Sequence, residues 1–465
     1  MLSNETLDIK KRDRQVHEMQ VYKAKMNTQQ QPAIALLHWG DLIEDFLDTI
    51  GVSFEAFCNE MTGGWMFGYI DALRLVGVRT VLFCISAHVT EPMRYTHEPT
   101  GATICVLPAP KIYNAARRRI PNPYGWTLKE AFGEIHGVRR ILLPILKDIS
   151  PYLATPLRLL ANELRREGCQ AMLCQEYEYA RFDACVLLGQ LMRLPVYATF
   201  QGGDFQLSRL ERPLRPLTLR ACAGLIVATQ TEVQRVQAHY GMPSTKLARI
   251  FNPMDVANWH AIARSEARAA LGIPIDAQVV VNHGRIDLHR KGLDVLMEAW
   301  ERVYSDRPDR NLRLLLVGTG RDASQLRDRI TTMQLQGVMW VDEYVRDRTA
   351  IRRYLSAADV YTLPSRHEGF PVAPIEAMAC GLPVVAADAP GVPDILEGGE
   401  DSGGLVVPRG DAVALASALG RLLDNEAWGR ELGKRARHRA QECFSLEAIG
   451  KQLRNFLLRE KVSHV

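Results

Sequence analysis

Two glutamates, an arginine and a lysine in the second half of the chain have the types and spacing that chemistry needs. Glu368-Gly369-Phe370-Pro371 follows the apolar run Val360-Tyr361-Thr362-Leu363 and a Pro-Ser turn, then leads into a short helix that holds Glu376 and ends at Gly381. Gly369 lets a ligand approach the backbone, and Pro371 and Pro374 suit a helix's first turn, where a missing N–H costs little. A helix start with free N–H groups can receive a phosphate or a sugar hydroxyl. Glu368 in the loop and Glu376 one to two turns inside would then touch different parts of one extended ligand. A plain surface loop, with an acidic residue favouring the helix dipole, accounts for the same residues about as well. Gly284-Arg285 closes another strand, and Lys291-Gly292 opens an amphipathic helix six residues later. Two cations at a strand-to-helix junction suit a pyrophosphate, arginine in bidentate fashion and lysine as a point charge; solvated loop charges would look alike.

A third segment competes. Gly318-Thr319-Gly320-Arg321-Asp322-Ala323 follows the run Leu312–Val317 and matches the dinucleotide pattern G-x-G-x-x-G/A, with Asp342 about twenty residues further on. This leaves a nicotinamide-dependent oxidoreductase open, although the strand is the second of its unit and no His or Cys hydride site accompanies it. His283 and His367 are the histidines beside candidate sites, and each reads as a loop or strand residue rather than a catalyst. There is no G-x-x-x-x-G-K-[ST], H-E-x-x-H or G-x-S-x-G motif, and no Asp-rich metal motif.

The elements that must position these residues are strands alternating with helices. Apolar runs at 33–38, 80–85, 102–107, 171–174, 195–200 and 224–228 are separated by helical patterns such as 65–75 and 156–166. The alternation restarts after Phe251-Asn252-Pro253-Met254, with strands expected at 278–282, 312–317, 339–341, 360–363 and 383–387. Helix 293–304 carries Leu293, Leu296, Trp300 and Val303 on one face. Buried parallel strands between helices define an α/β class. Two such units facing each other would hold a ligand in the cleft between their strand ends.

Composition agrees with two domains. The chain has 465 residues, 47% hydrophobic and 24% charged, long enough for a pair of cores and too apolar for disorder. Lys plus Arg number 57 and Asp plus Glu 53, a net charge of +4 that gives no support to a nucleic-acid binder. Nine cysteines without a C-x-x-C pair suggest neither structural zinc nor a disulfide framework. With no secretory signal in residues 1–31 and no apolar run of membrane-spanning length, the expectation is a reduced, cytoplasmic protein. The basic runs at 117–119 and 139–140 allow a peripheral contact with the inner face of a membrane, a solvated face being the plainer account.

Taken in order, these segments resemble the nucleotide-sugar glycosyltransferases of family 4, which retain the anomeric configuration and have the GT-B architecture of two Rossmann-like domains facing across a central cleft. The ordered set runs from Phe251-Asn252-Pro253-Met254-Asp255, similar to the family's N-G-V-D turn, through Gly284-Arg285, Lys291-Gly292 and Val317-Gly318-Thr319-Gly320. It continues through Ser356–Val360, Pro364-Ser365, the E-x7-E pair Glu368 and Glu376, Gly381–Val384 and Gly403–Val406. The resemblance implies a flexible extension at 1–32, an acceptor-binding domain at 33–247 joined by a returning helix at 446–465, and a nucleotide-sugar-binding domain at 248–445.

It also implies roles. Arg285 and Lys291 would hold the donor diphosphate, with Gly284 and Gly318 in the same turns. Glu368 would contact the donor sugar with the amides of Gly369 and Phe370, Glu376 the ribose, and the backbone near Tyr344 and Val345 the base. No cofactor or metal is required. The partners would be an NDP-sugar and a hydroxyl acceptor, a glycan, lipid-linked or small molecule. Gly63 and Gly64 resemble the family's glycine loop, the segment 39–61 before them reading as an insertion. Trp65 and Phe67 would stack on an acceptor or belong to the core. Where the family commonly has a His, this chain has Gln201, followed by Gly202-Gly203-Asp204; Gln cannot act as a base, so Gln201 would only hydrogen-bond the sugar or Asp204 would share the role. A non-catalytic sugar-nucleotide-binding relative, and the oxidoreductase, remain alternatives.

Overall fold

A computed structural model describes residues 31–459 except 126, 138 and 201–207. The expected N-terminal extension therefore falls almost wholly outside the described residues.

The first half forms an eight-stranded sheet in the order β3-β4-β2-β1-β5-β6-β7-β8. Its strands are β1 (Ala33–Leu37), β2 (Arg79–Ser86), β3 (Met93–His97), β4 (Ala102–Pro108), β5 (Cys169–Cys174), β6 (Val196–Phe200), β7 (Gly224–Val227) and β8 (Leu247–Arg249). All pair in parallel except β3, which runs antiparallel to β4. The second half forms a parallel six-stranded sheet in the order β11-β10-β9-β12-β13-β14. These are β9 (Gln278–His283), β10 (Leu312–Val317), β11 (Val338–Val341), β12 (Val360–Leu363), β13 (Val384–Ala387) and β14 (Gly404–Val407).

Helices on both faces make the inner strands apolar on both sides, which is why their runs read as continuous rather than alternating. In β1, Ile34 and Leu36 enter one core cluster while Ala35 and Leu37 enter another. In β10, Leu315 and Val317 face one cluster, and Leu312, Leu314 and Leu316 the other. The helix Leu293–Ser305 buries Leu293, Leu296, Trp300 and Val303, and the Trp300 indole N–H is satisfied by the Gln336 carbonyl at 2.9 Å.

Two strands have no apolar run to announce them. β3 is Met-Arg-Tyr-Thr-His at a sheet edge, where one face and one side need no burial, and β8 is only three residues long. The segment 39–61 folds as the helices Ile43–Ile50 and Phe54–Asn59, whose Ile43, Leu47 and Phe57 belong to the core.

After β14 the chain returns to the first half. Helix Leu446–Leu457 lies along helix Gly64–Leu75: a Cβ at Gly450 would collide with the Ala72 carbonyl, and Arg454 donates to the Val76 carbonyl at 2.9 Å. The outgoing and returning crossings are joined, since the Met254 N–H donates to the Phe444 carbonyl at 2.8 Å.

Candidate functional site

Each sheet reverses its strand order beside its first strand, between β1 and β5 in the first and between β9 and β12 in the second. At such a reversal the two connections leave in opposite directions and open a crevice at the strand C-terminal ends. Both crevices carry polar side chains.

The β9/β12 crevice is a cavity of about 230 Å³ that Gly284, Arg285, Lys291, Ser365, Glu368 and Phe370 help to line. Beneath it the Asn282 side-chain amide donates to the Thr362 carbonyl at 2.9 Å, tying the strands together. Lys291 Nζ lies 2.6 Å from Glu368 Oε1, and the glutamate side chain is only 8% exposed. Arg285 is exposed and makes no ion pair among the described residues. The Ser365 hydroxyl is buried with no hydrogen-bond partner among the described residues. Behind these groups His283 Nε2–H donates to Glu376 Oε2 at 2.8 Å, the donor being fixed because a carboxylate only accepts; its Nδ1 is buried and unpartnered. The Tyr361 ring stands edge-on to His283 at 5.5 Å. Burial, with the Glu376 and Glu368 charges beside it, holds the Tyr361 hydroxyl well above its usual pKa, so it stays neutral.

Two glycines let the loops meet. Gly292 has φ +65°, and a Cβ there would run into the Pro364 carbonyl; the close approach brings Lys291 to the Glu368 loop. Gly318 has φ +136° and rests on the Gly284 carbonyl, while the Ile286 N–H donates to the Thr319 carbonyl at 3.0 Å. The glycine turn of the dinucleotide pattern thus serves to support the Arg285 loop. Asp342, the residue that pattern would place on a ribose, is engaged by Arg327 at 2.6 Å.

Of the other expected residues, Phe370 and Pro371 help to line the cavity and the rest of the described ones lie outside it. Pro374 is in the first turn of helix Ala373–Ala379, whereas Pro371 precedes the helix and does not belong to that turn. Phe370 stacks on Phe251 with ring centroids 5.3 Å apart. Tyr344 and Val345 follow β11 and do not line the cavity; Tyr344 is 74% exposed beneath the Arg346 guanidinium. His367 is exposed. On the first half, Gly63 lies against the second, where a Cβ would be 2.6 Å from Arg348 Nη2. Gly64 starts helix Gly64–Leu75. Phe67 is fully buried and stacks on His97 at 3.8 Å, so it belongs to the core and not to an acceptor surface. Gln201 and Asp204 lie outside the described residues. Arg117 leaves the basic run, because its guanidinium is held by Asp45 at 2.8 Å; Arg118 and Arg119 are exposed.

The β1/β5 crevice was not marked by any motif. Arg181, 5% exposed, donates to the His38 carbonyl at 2.7 Å and the Asp41 carbonyl at 2.6 Å, fixing the turn after β1. His38 Nδ1–H donates to the Trp39 carbonyl at 2.5 Å and Nε2 accepts from the Ile85 N–H at 3.2 Å, a neutral tautomer. Burial, reinforced by Arg181, holds its pKa well below the usual histidine value. Burial also pushes the Asp41 carboxyl up to about 6, against the opposing pull of Arg181 and the Tyr113 hydroxyl. Beside them is a cavity of about 490 Å³, to which Asp41, Tyr124, Lys147, Tyr179, Arg209 and Arg212 contribute. The only sequence signal was His38 and Asp41 at a strand end; their partners lie up to 143 residues away.

Comparisons with known proteins fit this picture. The profile "Glycosyl transferases group 1" matches residues 277–425, and "Glycosyltransferase Family 4" matches residues 103–258. Among curated relatives, a D-inositol 3-phosphate glycosyltransferase of Kineococcus radiotolerans is 32% identical over 237 residues, 48% of this chain and 54% of that protein. A GDP-mannose-dependent monoacylated alpha-(1-6)-phosphatidylinositol monomannoside mannosyltransferase of Corynebacterium glutamicum is 32% identical over 204 residues, 42% of this chain and 51% of that protein. The chain spans about half the length of the curated relatives it matches. Among solved structures, Anabaena HepE in complex with UDP superposes with TM-score 0.63 at 17% identity, covering 92% of this chain and 100% of that one. Sucrose-phosphate synthase from Thermosynechococcus elongatus gives TM-score 0.58 at 21% identity, covering 91% and 97%.

Two parallel-sheet α/β units, each with a crevice at its strand-order reversal, are the GT-B fold. The chain belongs to the family 4 and group 1 glycosyltransferases. No helix among the described residues is long and apolar enough to cross a membrane.

Proposed function

We propose that this protein is a retaining hexosyltransferase that moves a hexose from a UDP-, GDP- or ADP-sugar to a hydroxyl acceptor. The observation that carries the reading is the β9/β12 cavity, where Arg285, unpaired among the described residues, lines the same space as Lys291 and Glu368. An incoming diphosphate would meet Arg285 in bidentate fashion and share Lys291 with Glu368, whose second oxygen is left for sugar hydroxyls. In the reaction the bond from the sugar's anomeric carbon to the diphosphate oxygen breaks, and the acceptor oxygen bonds to that carbon on the same face. The leaving phosphate oxygen takes the acceptor's proton. The chain's part is to stabilise the charge that grows on the diphosphate, which preorganised cations in a small cavity do without reorganising at the moment of reaction. Glu376, oriented by His283, would take the ribose. No metal enters this scheme.

The relatives' names motivate the donor and acceptor classes: one acts on D-inositol 3-phosphate, and the other takes GDP-mannose and a phosphatidylinositol mannoside. Work on the cytoplasmic side of a membrane, with contact through the exposed arginines at 118, 119, 139 and 140, belongs to the same reading.

A thermal-shift and calorimetric screen of UDP-, GDP- and ADP-sugars against NAD(P) tests it. One nucleotide sugar should stabilise the protein, and Arg285→Ala should cost about 1.5–3 kcal/mol of that binding, the range for a charge-assisted hydrogen bond. Stabilisation by NAD(P) alone would overturn the assignment.

A further inference from the structure

The mouth of the β1/β5 cavity has an unusual rim. Helix Arg139–Leu153 lines one wall with Pro144, Lys147, Asp148 and Pro151. The start of helix Glu211–Ala221 and residues Glu178–Ala180, leading into helix Ala180–Met192, also line the cavity. The three helices are pinned at one buried carboxylate: Asp183 accepts from the Tyr152 hydroxyl at 2.9 Å and the Thr218 hydroxyl at 2.5 Å, and Arg215 lies 3.3 Å away.

From that junction each helix carries bare aliphatic side chains away into solvent. Ile141, Leu142, Ile145 and Ile149 are exposed on the first helix, Ile141 to 67%. Leu187 and Leu191 follow Asp183 at successive helical turns, Leu191 being 77% exposed. Leu210, Leu214 and Leu217 approach Thr218 on the third helix. Single exposed aliphatics are ordinary, but a run of them on three helices joined at one carboxylate marks an interaction surface.

Charge says what covers it. Arg139 and Arg140 stand at the head of the first helix, Arg193 ends the second, and Arg209, Arg212 and Arg220 border the third. All six are exposed, and none forms an ion pair among the described residues. Aliphatic side chains set among uncompensated arginines are the composition of an interfacial surface for anionic lipid. We propose that this three-helix face docks on an anionic bilayer, with the β1/β5 cavity opening toward the headgroups. The docking deepens the membrane contact proposed above, adding to Arg139 and Arg140 the exposed aliphatic side chains and the arginines of the other two helices. That a headgroup in the cavity is the acceptor rests on the glycosyl-transfer reading.

The test is co-sedimentation of the full chain with vesicles of phosphatidylcholine alone or mixed with phosphatidylglycerol. Wild type should partition onto the anionic vesicles, less so as salt screens the arginines. Ile145→Glu with Leu214→Glu should abolish the partitioning, and Arg139→Gln with Arg140→Gln should weaken it about fivefold per arginine. Neither pair lies in the donor cavity, so donor hydrolysis without vesicles should match wild type, separating failure of docking from failure of the enzyme assignment. No partitioning, or equal partitioning onto neutral vesicles, overturns the proposal. So does a wild-type dimer in solution that the glutamate pair converts to monomer, since a second copy would then cover the face.

Discussion

At the β9/β12 reversal the polar groups come from loops that directly follow two strands and meet through glycine contacts; at the β1/β5 reversal they come from segments scattered over the first half of the chain. The first crevice is small and has its principal cation, Arg285, unpaired among the described residues. The second is larger, and its buried charge, Arg181, spends its donors on the backbone of the turn after β1. The same topological device therefore gives one crevice organised to meet a ligand and another organised first to hold its own shape. In the second, the exposed charges are Arg209 and Arg212, which help to line the cavity beside that turn.

The comparison breaks most visibly at its charged residues. Arg285→Ala should lower turnover about a hundredfold or more, the cost of losing one preorganised charge stabiliser, while leaving stability within about 0.5 kcal/mol because the side chain is exposed and unpaired; steady-state rates beside urea melts measure both. Arg181→Met should do the reverse. Two buried carbonyls lose their donor at about 1–3 kcal/mol each, seen as a lower urea midpoint with donor binding retained.

A third expectation concerns pH. Asp41 keeps its proton up to about 6 when folded, against an ordinary value of 3.8. Between those values the folded state binds the proton more tightly than the unfolded state, so stability falls as pH rises, by up to about 3 kcal/mol. His38 acts oppositely: held neutral when folded, it costs stability as pH falls below its unfolded value of 6.5. Asp41→Asn should therefore remove the fall between about pH 4 and 6 and leave the histidine limb, in melts across that range. The smallest effect belongs to the dinucleotide alternative. Asp342→Ala removes a surface ion pair worth under about 1 kcal/mol and should leave nucleotide-sugar binding unmoved; lost binding would reassign that loop.

The second half was the more legible because its information is local. A strand, a glycine turn and a charged residue sit within ten positions of one another, so β9, β10 and β12 and the residues after them could be read from runs of Val and Leu. The Lys291–Glu368 contact spans 77 residues but joins two such local units. The Arg181 network could not be read this way, since nothing at Arg181 signals that its guanidinium will cap a turn 140 residues earlier. β3 escaped for another reason: an edge strand needs no apolar run. Tyr344 is a different case: its expected part is played by the backbone, so a side chain 74% exposed leaves that expectation as it was.

The hydrogen bond between Met254 and Phe444 has a consequence for how such a chain can be varied. The segment between those residues contains the whole six-stranded sheet, and its two ends lie within 2.8 Å of each other. It is a closed insert in the frame that the returning helix completes, and inserts whose ends meet are exchanged readily because the host need not adjust. A grafted cassette ending at those two residues would change the six-stranded half while the three-helix face stayed as it is.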